Sequence, residues 1–79
     1  MAITLHHKEI MILMTDPNLK VPVQHTSFPF EHPYKIDSAI EQLYQLGYIT
    51  AVQSQADSHW IATSITSKGF SFLKEEGLI

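Results

Sequence analysis

Residues 34–46, YKIDSAIEQLYQL, run directly into Gly47-Tyr48-Ile49. Ile36, Ala39, Ile40, Leu43 and Leu46 recur at three- and four-residue intervals, which sets them on one side of an α-helix. Gly47 follows at the point where a helix commonly closes through a left-handed residue, a conformation glycine adopts without steric cost. A helix from about Tyr34 to Leu46 is therefore expected. Asp37, Ser38, Glu41, Gln42 and Gln45 make its opposite side, a polar face of net negative charge that solvation alone would explain.

Downstream, residues 48–53 (YITAVQ) and 59–64 (HWIATS) contain Ile49, Val52, Trp60, Ile61 and Thr63, residue types that suit strands. The polar run Gln53-Ser54-Gln55-Ala56-Asp57-Ser58 between them predicts the tip of a β-hairpin. Thr66, immediately after Ile65, is a good N-cap for a short helix through Phe70, Phe72 and Leu73 that ends near Gly77. Gly69 inside that helix costs about 1 kcal/mol relative to alanine, so its presence predicts close approach of another element.

Upstream, the run LHHKEIMILM after Thr4 predicts a first helix that stops before Thr15-Asp16-Pro17. Ile3, Ile10, Leu13 and Met14 share one face, and Met11 with Ile12 widens the apolar arc beyond an ordinary stripe. Such a helix needs cover on more than one side, from the domain's own core or from a second copy. Residues 15–33 carry Pro17, Pro22, Pro29 and Pro33 and show no sustained period, so no long helix is expected there, only a short extended piece near residues 21–24. Phe28 and Phe30 argue that this segment packs, with at least one ring entering the core and Pro29 fixing the turn between them.

With 79 residues the chain supports one domain, residues 1–79, of the α+β class, and its core is thin. A 44% hydrophobic and 16% charged composition is too apolar for disorder, and no stretch approaches the roughly 20 apolar residues of a membrane span. The absence of cysteine excludes disulfides and thiolate zinc sites, and a start without signal-peptide character makes a cytoplasmic setting the expectation.

The order helix, hairpin, helix across residues 34–78 resembles the second half of a winged-helix domain. The residues that carry the likeness are Ala39, Ile40, Leu43, Leu46, Gly47, Tyr48 and Ile49, then the hairpin, then Ile65, Thr66, Gly69, Phe72 and Leu73. The pattern is similar to small bacterial and phage regulators of the MarR-like and PadR-like kind. Before Tyr34 the chain departs from them, having a proline-interrupted segment where they place the second helix of the helix-turn-helix.

The resemblance implies that the helix before the wing enters a DNA major groove, which assigns double-stranded DNA contacts to Tyr34, Lys35, Ser38, Gln42 and Gln45. Glutamine can pair bidentately with adenine. Charge opposes tight binding by one copy. The cations are five lysines without arginine against eight acids, and Lys35 is the only cation on the helix. DNA binding thus demands a homodimer, expected through the first helix and the C-terminal Leu78-Ile79, with Lys8, Lys20 and Lys35 forming a positive stripe across it. The alternative is a winged-helix protein-interaction module, which predicts an exposed apolar patch around Trp60, Tyr48 or Met11.

Other chemistry finds little support. His6, His7, His25, His32 and His59 lack the i, i+4 spacing that pre-forms a metal site, and all five are expected at or near the surface. No nucleophile elbow or glycine-rich phosphate loop is present, and neither catalysis nor a cofactor is expected.

Overall fold

The computed structural model describes residues 3–19 and 22–79. In chain order it contains α1 (Leu5–Met14), a 3-10 turn (His25–Ser27), α2 (Pro33–Gln45), β1 (Ile49–Gln53), β2 (Trp60–Ile65) and α3 (Ser67–Glu75). The three α-helices and both strands lie within a residue or two of the spans their sequence predicts, whereas the 3-10 turn falls in the segment for which only a short extended piece is expected.

α2 is the centre. Pro33 occupies its first turn, where a missing N–H costs nothing, and His32 caps it by accepting the Tyr34 N–H on Nδ1 at 3.2 Å. Ile36, Ala39, Ile40 and Leu43 are buried at helical spacing. At the far end Gly47 has φ +82°, Tyr48 N–H reaches Leu43 O and Gly47 N–H reaches Tyr44 O, each at 3.0 Å. That pair of bonds is the Schellman closure, and it turns the chain directly into β1. Lys68 adds a charge-assisted cap by donating from Nζ to Leu46 O at 2.8 Å, where the helix dipole favours a cation.

β1 and β2 pair antiparallel, with Ile49 opposite Ile65 and Gln53 opposite Trp60, and a bulge at Thr63 between the Thr50–Ser64 and Ala51–Ala62 pairs. On the other edge of β2, Val23 exchanges both backbone hydrogen bonds with Ala62, at 3.1 and 2.8 Å. The extended piece expected near residues 21–24 is thus a single-residue bridge at Val23, and its Val21 lies outside the described residues. Beyond it, the 3-10 turn and a turn closed by Glu31 N–H on Phe28 O, with Pro29 at its second position, lead into α2. Phe28 packs against the core while Phe30 is 99% exposed.

α3 starts at Thr66, whose hydroxyl accepts the Gly69 N–H at 3.1 Å and donates to Gly47 O at 2.7 Å. Gly69 lies so close to the corner that a Cβ there would collide with the Tyr48 carbonyl and sit 2.8 Å from Ile65 Cγ1. Close approach is therefore the reason for this glycine. The α-helices and both strands feed one core, joined by Val23: Ile10 and Met11 from α1, the α2 stripe, Ile49, Ala62 and Leu73.

α1 departs from expectation in which face is covered. Its buried stripe is His7, Ile10 and Met11, whereas Leu13 and Met14 are only half-buried and Ile12 is exposed. Met11, whose wide apolar arc is expected to be covered by the domain's own core or by a second copy, is wholly covered by the core. No helix among the described residues is long and apolar enough to cross a membrane.

Candidate nucleic-acid interface

On α2 the successive 100° rotations place Tyr34, Gln45, Ser38, Gln42 and Lys35 along one solvent-side arc of about 100°. Tyr34, Lys35, Ser38 and Gln45 are exposed, and Tyr34 is backed by the His32 imidazole, with ring centroids 5.3 Å apart. Tyr34, Lys35, Ser38 and Gln42 line an open groove of about 380 Å³ between α2 and the start of α1, completed by Thr4, His6, His7 and Ala39. Gln45 lies off the groove, one turn along the same arc.

Gln42 is not a free side chain of the exposed face. It is half-buried, with Oε1 2.7 Å from His7 Nε2. His7 is 3% exposed, contrary to the expectation that all five histidines lie at or near the surface. Its Nδ1 accepts the Thr4 N–H at 2.9 Å, so the ring proton resides on Nε2 and is donated to Gln42, and the Thr4 hydroxyl completes the set at 2.8 Å from Nδ1. A single imidazole thereby caps α1 and ties it to α2. The third helical position after a threonine N-cap is where a capping box places Glu or Gln, which is the sequence signal that marks His7.

Asp37 also leaves the polar face assigned to it. It is 8% exposed and turned toward the hairpin, where Oδ2 lies 2.6 Å from His59 Nδ1 and Oδ1 accepts the Trp60 N–H at 3.1 Å. Trp60 precedes Ala62 by two residues, so its N–H points to the same outer edge of β2, and the carboxylate stands in there for a strand partner. The hydrogen bond to Asp37 raises the His59 pKa above the ordinary histidine value, burial opposes the rise, and the charges of Asp37 and Asp57 add to it. Asp57, at the hairpin tip, is held below the usual carboxylate value chiefly by accepting the His59 N–H. The His25 ring contacts that of His59, with centroids 4.0 Å apart. Nothing in the spacing of residues 25, 37 and 59 announces this cluster.

With Asp37 withdrawn, Glu41 is the remaining carboxylate beside the arc, and it is half-buried. No lysine forms an ion pair among the described residues, whose pairs are His6–Glu31 at 3.0 Å and His59–Asp37. Lys35 and half-buried Lys8 stand on α2 and α1, while Lys20 of the expected stripe lies outside the described residues. A second concavity, about 420 Å³, lies between the end of α1 and β2, but Asp16 is its one ionisable group and none of the expected contact residues lines it. Among the described residues no cluster of His, Asp and Glu is arranged to hold a metal ion. Of the residues expected in the patch of an interaction module, Met11 is buried, and half-buried Trp60 and Tyr48 lie against Tyr44 and Phe72. No protein-family model, curated protein or solved structure matches this chain.

Proposed function

We propose that this protein is a cytoplasmic winged-helix DNA-binding protein of the small regulator or phage-accessory kind, acting as a homodimer and without catalytic activity. The order of elements supports the reading. The Val23–Ala62 bridge supplies a rudimentary strand between the first helix and the next turn, and the 3-10 turn takes the place of a shortened second helix before α2 and the hairpin. The observation that carries the DNA assignment is the exposed α2 arc of Tyr34, Lys35, Ser38 and Gln45, from which Asp37 has been turned away. With Asp37 held against the hairpin, the exposed side chains of the arc are groups able to contact phosphate and base edges.

Dimerisation remains a requirement, because one copy offers few cations and a net charge of −3. With Met11 covered, the exposed apolar groups on the expected dimer surface are Leu5 and Ile12 of α1 with Leu78 and Ile79 at the C-terminus. Titration of random-sequence duplex at low salt tests the assignment, and Glu41→Gln should strengthen non-specific binding if α2 faces phosphates. An unchanged affinity in that variant would favour the interaction-module reading, which draws its own support from Phe30, an aromatic ring left almost wholly in solvent.

A further inference from the structure

We propose that Asp37 and His59 form a protonation-gated clamp that fixes the hairpin against α2 and sets the charge presented beside the α2 arc. The geometry is that of a two-point latch. One carboxylate, rooted on α2, receives the His59 ring through Oδ2 at 2.6 Å and the Trp60 backbone N–H through Oδ1 at 3.1 Å, so both of its oxygens hold the start of β2. The titratable groups that face His59 are Asp37 from α2, His25 from the 3-10 turn, whose ring lies against it at 4.0 Å, and Asp57 from the hairpin tip.

Protonated, His59 neutralises a carboxylate that is nearly out of water. Once the ring loses its charge, Nδ1–H still reaches Oδ2, but the buried negative charge of Asp37 has no counter-ion, which both loosens the latch and adds an uncompensated negative charge to the helix that carries the arc. The sign follows from linkage. A histidine raised in the folded state contributes stability that is complete below the unfolded value of about 6.5 and is lost as pH climbs through the higher folded value. Phosphate affinity on the α2 arc falls over the same interval. This second consequence rests on the DNA reading, whereas the clamp itself does not.

An NMR titration of the histidine rings in the full chain tests it. His59 should titrate above about 6.5, the ordinary value, the Trp60 amide should report the same midpoint, and Asp37→Asn should bring that midpoint down. Should Asp37→Asn fail to fold, His59→Asn retains a side-chain N–H donor without a titrating proton. Urea unfolding should then show wild-type stability declining with pH across the His59 midpoint and this decline missing from His59→Asn. For duplex DNA, the affinity ratio between the acidic and basic sides of the midpoint should exceed one in the wild type and approach one in His59→Asn. A His59 midpoint at the ordinary value, or equal pH dependence of stability in wild type and His59→Asn, overturns the clamp. Absence of DNA binding at every pH overturns the affinity consequence and the α2 assignment, and the ring titration then decides the clamp alone.

Discussion

Gly69→Ala sets two opposed effects against each other, and the structure decides between them. Alanine in a helix interior is favoured over glycine by about 1 kcal/mol, so propensity alone would stabilise the variant. The new Cβ, however, meets the Tyr48 carbonyl and approaches Ile65 Cγ1 to 2.8 Å. Ile65 could yield by changing rotamer, but the carbonyl belongs to the corner between α2 and β1 and already accepts the Thr66 N–H at 3.0 Å. Overpacking of this kind costs about 1–3 kcal/mol, with a backbone atom at the upper end, and displacing the carbonyl gives up a hydrogen bond of about 1 kcal/mol. Subtracting the propensity gain leaves a net loss near 3 kcal/mol, which for a domain of this size lowers the melting temperature by about 12–24 °C. Equilibrium urea unfolding followed by circular dichroism measures it. An alanine variant as stable as the parent would show that α3 does not pack on that corner, and the chain's close approach would have to be abandoned.

Leu43 is fully buried on the central helix, so Leu43→Ala should cost about 2–5 kcal/mol, and a melting temperature unchanged within error would remove α2 from the core. His7→Ala should destabilise by about 1–3 kcal/mol, whereas His7→Gln should recover part of the loss because glutamine at that position can still accept the Thr4 N–H; equal losses would deny the cap any role. Sedimentation equilibrium at about 100 μM, where even modest specific complexes assemble, should detect a dimer that Ile12→Glu dissociates, and a wild-type monomer there would remove the homodimer.

The elements were legible because their determinants are local. Gly47 and Gly77 mark helix ends, Thr66 caps, and the α2 stripe has one unambiguous period, so each boundary depends on residues within a few positions of it. The α1 face was not legible in the same way. Five consecutive apolar residues, Ile10 to Met14, leave the choice of buried side to tertiary contacts, and His7, polar by type, won a buried position through hydrogen bonds no pattern of hydrophobicity contains. The candidate interface divides along the same line. Tyr34, Lys35, Ser38 and Gln45 are where helical geometry puts them, but Asp37 and Gln42 have partners 22 and 35 residues away, at a range where periodicity carries no information.

Whether α2 meets DNA phosphates is tested most directly by the salt dependence of binding, measured by anisotropy of a labelled random-sequence duplex between about 50 and 200 mM salt for wild type and Lys35→Ala. Affinity should fall steeply with salt in the wild type, and the log–log slope should be smaller by about one per bound site in Lys35→Ala, with weakening shared across sequences. No salt-dependent binding in the wild type, or an identical slope in Lys35→Ala, would contradict the contact of α2 with DNA phosphates.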